Sequence, residues 1–192
     1  MPVDPSTLAV VTYPAPILRT RSTPVEGITD EVRAVALRMI ELMFASDGIG
    51  LAANQVGLPW RLFVAHVPAS DDPDDPRSPE SDTPTATGAP TVYINPVLSD
   101  PERDLTPMEE GCLSLPEIHG EVRRPSQITI TALDLQGRRF TQRGAGLLAR
   151  CWQHEVDHLE GVLILDRMTP ASRLRNRARV RDLEDGAQGR PS

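Results

Sequence analysis

The stretch RGAGLLARCWQHEVDHLEGVLIL, residues 143–165, decides how the rest of the chain is read. It predicts a helix from near Gly144 to about Leu159, closed by Gly161 at the C-cap, followed by a short apolar strand over VLIL. Within that helix His154 and His158 stand four residues apart and so project from one face, about one turn from each other. Two imidazoles so placed can grip one divalent cation. Glu155, at the edge of the same face, can accept a proton from a water that the cation holds. The competing reading is an ordinary helix with two surface histidines; with only four histidines in the chain, a chance match to the whole His-Glu-x-x-His pattern is rare.

A catalytic site of this kind needs a third protein ligand and one position left open. The residues after His158 read Leu-Glu-Gly-Val-Leu and supply no ligand at the spacing of the longer zinc-protease motif, so the third ligand comes from another segment. Cys112, in EGCLSLPE, follows Gly111 and can present a thiolate from a tight turn. Cys151 is the competitor, but it shares the helix whose face the histidines already occupy; it is read as packing, and Cys112 as the ligand. A third block, DGIGLAANQVG at 47–57, carries glycines that permit close backbone approach and small alanines that permit close packing. It lacks the lysine of a phosphate loop. Its Gln55 offers an amide that can donate to an oxygen gaining negative charge.

Outside these blocks, Thr29 reads as the N-cap of a helix in which Val32, Val35, Ala36, Met39, Leu42 and Met43 recur at helical spacing up to the Asp47-Gly48 stop. Arg61 to Val67 and Thr91 to Leu98 read as strands, and 127–135 with 138–142 as a hairpin turning at Gln136-Gly137. Ala171 to about Leu183 reads as a third helix. The chain is expected to form a single domain over 1–184, with 68–90 a flexible acidic, proline-rich linker loop and 185–192 a disordered tail.

A chain of 192 residues, 39% of them hydrophobic, is long enough for one compact core. The formal charge of −7 hides two opposed patches: six acids and one arginine over 70–82, and six arginines without an acid over 167–181. No apolar run reaches the length of a membrane span, and the first residues lack the basic and apolar regions of a secretory signal, so a cytoplasmic location is expected, with the two cysteines as free thiols or a metal ligand.

The three blocks GIGLAANQ (48–55), EGCLS (110–114) and QHEVDH (153–158) together resemble the three signature motifs of the bacterial peptide deformylase family, in the family's order and spacing. The lead-in YPAPILRTRSTPV and the hairpin region resemble it as well. The resemblance implies an α+β fold in which mixed β-sheets surround the metal-binding helix, with a C-terminal helix after it. It implies hydrolysis of the formyl group of N-terminal formylmethionine on nascent polypeptides, releasing formate. On that resemblance Cys112, His154 and His158 are metal ligands, Glu155 is the general base and acid, Gln55 and the Leu113 amide stabilise the oxyanion, and Ile49 and Gly50 line the track of the substrate backbone. The implied cofactor is one divalent ion, iron(II) in the cell, which zinc, nickel or cobalt can replace. The implied partners are the formylmethionyl peptide and the ribosome near the nascent-chain exit, reached through the arginine-rich C-terminal helix, with neither membrane nor DNA among them.

Two positions depart from the family's pattern. His119 falls where several members carry an arginine that helps hold the substrate, and Arg150 stands where an apolar pocket wall is common, which predicts that its head snorkels outward. His66, in a strand-like run, reads as structural. Two other functions compete: an ordinary zinc endopeptidase, which would need a ligand downstream of the helix, and an RNA-binding module braced by a closed metal site, which would need neither Glu155 nor Gln55.

Overall fold

A computed structural model describes residues 2–187; the last five positions of the expected tail, 188–192, lie outside the described residues. Helix α1 (Asp30–Ala45) begins where the sequence predicts: the Thr29 hydroxyl accepts the Val32 N–H at 3.3 Å, and Asp30 and Glu31 face the helix's positive end. Its buried stripe of Val32, Val35, Ala36, Met39 and Met43 packs on a five-stranded sheet. That sheet has the order β1 (Gly50–Ala52), β2 (Leu62–Ala65), β3 (Thr91–Ser99), β6 (Gln127–Leu133) and β7 (Arg139–Ala145). The β6–β7 hairpin turns at Gly137, whose φ of 77° suits a residue without a side chain, while the Asp134 carboxylate accepts the N–H groups of Gln136 and Arg138.

A second sheet holds only β4 (Leu105–Cys112) and β5 (Leu115–Pro125), paired from Leu105 opposite Pro125 to Cys112 opposite Leu115. The sequence reading had no strands here, because Pro107, Pro116 and Pro125 punctuate the segment and two of its buried alternating positions are held by Gly120 and Arg124 rather than apolar side chains. The α+β class is as expected, and among the described residues the strands pair in antiparallel ladders, with a parallel contact at the isolated Thr23–Trp60 bridge. Within β5, Glu117 adopts a left-handed φ of 59°. That conformation costs a side chain of its type roughly 1–2 kcal/mol, so neighbouring structure must hold it.

Helix α2 (Gly146–Leu159) lies between the two sheets and carries the His-Glu-x-x-His motif. Its depth is set by Trp152, fully buried against Tyr93, which in turn stacks on Phe63 with centroids 4.5 Å apart. Gly144 makes room for that indole, since a Cβ there would overlap the ring. The apolar VLIL run is not a strand. Ile164–Arg167 forms a short helix, α3, because the Asp166 carboxylate accepts the Leu163 N–H at 2.9 Å, and Leu163 and Ile164 bury against Leu18, Ile118 and Met168. Helix α4 (Pro170–Ala187) packs along β5 and runs three residues into the stretch read as tail. No helix among the described residues is long and apolar enough to cross a membrane. The acidic segment is tied to the body where Thr87 N–H donates to the Val67 carbonyl at 2.8 Å and Ala145 N–H to the Pro84 carbonyl at 2.9 Å.

Candidate metal centre and cleft

A cleft of about 550 Å³ opens between β1 and the β4–β5 hairpin, with α2 as its floor. At its deep end the ligand atoms of Cys112, His154 and His158 all lie within 4.8 Å of one another, and Cys112 Sγ is 3.2 Å from His158 Nε2. A soft sulfur and two imidazole nitrogens at this spacing fit a transition metal or zinc, and three ligands leave a tetrahedral position free. Electrostatics agree. Burial works against protonation of His154, but Cys112 and Glu110 outweigh it and push its pKa well up, while burial and the His154 charge push that of His158 well down.

Glu155 is buried beside this centre, and burial raises its carboxyl to about 7 against the lowering pull of His154 and Arg124. Among the described residues its Oε2 has no hydrogen-bond partner, nor has His158 Nδ1. Gly50 on the edge strand β1 admits the carboxylate, since a Cβ there would overlap the Glu155 carboxyl group and the Cys151 sulfur. Gln55 sits in a 3-10 turn at Ala53–Val56 directly after β1. Its Oε1 accepts the Ala52 N–H at 2.8 Å, which fixes the flip of the amide, and its Nε2 points to Ser114 Oγ at 3.2 Å and Cys112 Sγ at 3.5 Å. Leu113 lies at the β4–β5 turn, and both it and Ile49 line the cleft. All eight residues singled out from the sequence therefore converge on one place.

Cys151 packs as expected. It is buried, its thiol faces the Ile49 carbonyl at 3.4 Å, and burial pushes its pKa well up. His66 is tied by Nδ1 to Thr87 Oγ1 at 3.0 Å, as a structural histidine would be. His119 lies in the cleft wall, its ring over Gly111.

Arg150 corrects the expectation of an outward snorkel. It turns inward, its head 2.7 Å from Glu110 Oε1, and also donates to the Val122 and Thr106 carbonyls at 3.1 and 2.6 Å. Glu110 itself, unassigned from sequence, is the hub of a buried network. Its Oε1 accepts from Arg124 Nε at 2.7 Å, and its Oε2 accepts from Arg124 Nη2 at 3.0 Å and from His154 Nδ1 at 3.1 Å. Asp157 accepts from Arg124 and Arg167 on the far side. Burial pushes the Glu110 carboxyl up, yet the His154 hydrogen bond and the Arg124 guanidinium overcome this and hold it well below the usual carboxylate range. A carboxylate on Nδ1 fixes the tautomer that presents Nε2 to a cation. The signal for it was an acid directly before the ligand-bearing Gly-Cys.

A helix-borne pair of histidines, a cysteine from a second sheet, and a desolvated glutamate beside them define a metal-dependent hydrolase. The family model described as polypeptide deformylase matches residues 7–174. A peptide deformylase of Maricaulis maris is 41% identical over 175 residues, covering 91% of this chain and 92% of the relative. Peptide deformylase 2 of Gloeobacter violaceus is 44% identical over 161 residues, covering 84% and 79%. Among solved structures, the peptide deformylase of Ehrlichia chaffeensis superposes with a TM-score of 0.82 at 32% identity, covering 95% of this chain and 97% of that one. A plant peptide deformylase superposes with a TM-score of 0.82 at 36% identity, covering 97% and 96%. The chain belongs to the polypeptide deformylase family, metal-dependent hydrolases that remove the formyl group from nascent chains.

Proposed function

We propose that Cys112, His154 and His158 hold one divalent ion, iron(II) in the cell with zinc, nickel or cobalt able to replace it, and that Glu155 moves the protons of formyl-amide hydrolysis. The observation that carries this reading is the convergence of three ligand atoms within 4.8 Å beside a buried carboxylate without a partner. Bound there, the ion supplies Lewis acidity that polarises the formyl carbonyl and acidifies a water. Glu155, with a pKa raised to about 7, can take a proton from that water and return it to the leaving amine. The Gln55 Nε2 and the Leu113 amide donate to the oxygen that gains charge as the carbon becomes tetrahedral, and Ile49 and Gly50 offer the free edge of β1 to the substrate backbone. Formate and a free α-amine leave.

The test is formate release from formyl-Met-Ala-Ser by anaerobically purified protein, with bound metal measured on the same sample. Cys112→Ala removes the only sulfur ligand and is expected to lose both the metal and the turnover; a Cys112→Ala protein that keeps one metal per chain and full turnover would overturn the ligand set.

Residues 1–184 are read as one catalytic domain acting in the cytoplasm. The ribosome remains the proposed partner of α4. Arg173, Arg175, Arg177 and Arg181 have no carboxylate within ion-pairing distance among the described residues, and they suit sequence-independent contact with RNA phosphates. Binding through about four such contacts should weaken with a log–log salt slope near −3 in co-sedimentation with ribosomes, and a flat salt dependence counts against it.

A further inference from the structure

The outer edge of β5 is covered by α4 and the residues leading into it, which take the place of a third strand. The Thr169 N–H donates to the Glu121 carbonyl at 3.0 Å, and Ser172 Oγ accepts the Glu121 N–H at 3.0 Å. One step further along, buried Asn176 donates through Nδ2 to the His119 carbonyl at 2.7 Å, and Arg179 donates to the Glu117 carbonyl. The alternate backbone groups at 117, 119 and 121 are thus all held from the helix side. Glu117 is also the residue whose left-handed φ needs holding, and Pro116, Glu117 and His119 form the exposed rim of the cleft. Asn176 and Arg179 lie beyond residue 174, where the family match ends.

We infer that Asn176, assisted by Arg179, is a positioning residue that sets the β5 wall of the cleft and thereby the capture of substrate beyond its formylmethionine. The residues of the centre proposed above come from α2, β1, β4, the 3-10 turn and the β4–β5 turn, whereas Pro116, Glu117 and His119 of β5 supply exposed wall at the mouth of the cleft. A formyl group that reaches the buried end leaves the following residues of the peptide to run outward past Pro116, Glu117 and His119. Freeing the His119 and Glu117 carbonyls lets that wall relax, which weakens binding of the outward part and leaves the reacting geometry intact.

The test compares formyl-Met-Ala-Ser with formylmethionine on the full metal-loaded chain. Asn176→Leu and Asn176→Asp both lack the donor, and each is expected to raise KM for the tripeptide about fivefold with kcat within about twofold and formylmethionine kinetics unchanged. Arg179→Ala, at an exposed position, is expected to shift KM in the same direction by about twofold. Ser172→Ala releases the Glu121 N–H together with local contacts to Thr169 and Arg175 but leaves the Glu117 and His119 carbonyls held, so it should lower the melting temperature without moving KM. An unchanged tripeptide KM in Arg179→Ala and in the folded Asn176 variants overturns the inference, as does an equal rise for both substrates or the same rise in Ser172→Ala. The inference rests on the proposed reaction centre, whose failure would show separately as undiminished turnover in Glu155→Ala.

Discussion

Glu155→Ala is expected to bind metal as the parent does and to lose about a thousandfold or more in kcat, since positioned proton transfer contributes roughly 10² to 10⁴ and here one carboxylate serves both directions. The reason lies in where the carboxyl sits. Burial raises it to about 7, so near neutrality it can both accept and give a proton. The ligand atoms are contributed by other residues, Cys112, His154 and His158, so metal content need not fall. Metal analysis and formate release on one preparation separate the two effects. Turnover within tenfold of the parent would remove Glu155 from the mechanism.

Glu110→Ala is expected to have the largest effect on stability. The side chains of Arg124 and Arg150 are each about 6% exposed and share the Glu110 carboxylate, so its loss leaves Arg124 with Asp157 alone and Arg150 with only the Val122 and Thr106 carbonyls. Breaking a buried pair by removing one partner costs about 3–5 kcal/mol, which for a chain of this length is a fall in melting temperature of roughly 6–20 °C. A second effect follows from the His154 Nδ1 contact at 3.1 Å: without that carboxylate the imidazole is no longer oriented, and metal affinity should drop about 10–100-fold. Thermal melts with and without added zinc measure both. A melting temperature within 2–3 °C of the parent, a shift worth only about 1 kcal/mol, would show that the network is decorative.

What was legible in the sequence, and what was not, follows from where the signal resides. The ligand pair of α2 is local, four residues apart on one helix, and α1 announces itself through Thr29 and a six-residue apolar stripe. The β6–β7 hairpin is equally local. The β4–β5 sheet was hidden because two of its inward positions are taken by Gly120 and Arg124, residues whose burial depends on Met168 and Glu110 from other parts of the chain. The same non-local pairing hid the inward turn of Arg150: a charged side chain is read as solvated until its buried counter-charge is known. VLIL failed for a smaller reason, a single Asp166 whose carboxylate caps the Leu163 N–H and starts a helical turn at Ile164, which takes in the last two of the four apolar residues. For the site, first-contact residues were readable as types with a chemistry, whereas their supports were not, because support is geometry between strands rather than spacing along one.

The fully enclosed indole of Trp152 sits two residues before His154, while Trp60, the chain's other tryptophan, is partly exposed. The helix that bears the metal ligands therefore contains its own fluorophore, shielded from aqueous quenchers that reach Trp60. Light emitted from that buried ring reports the tightness of the α2 core, so loosening around the centre can be followed optically without labelling the protein.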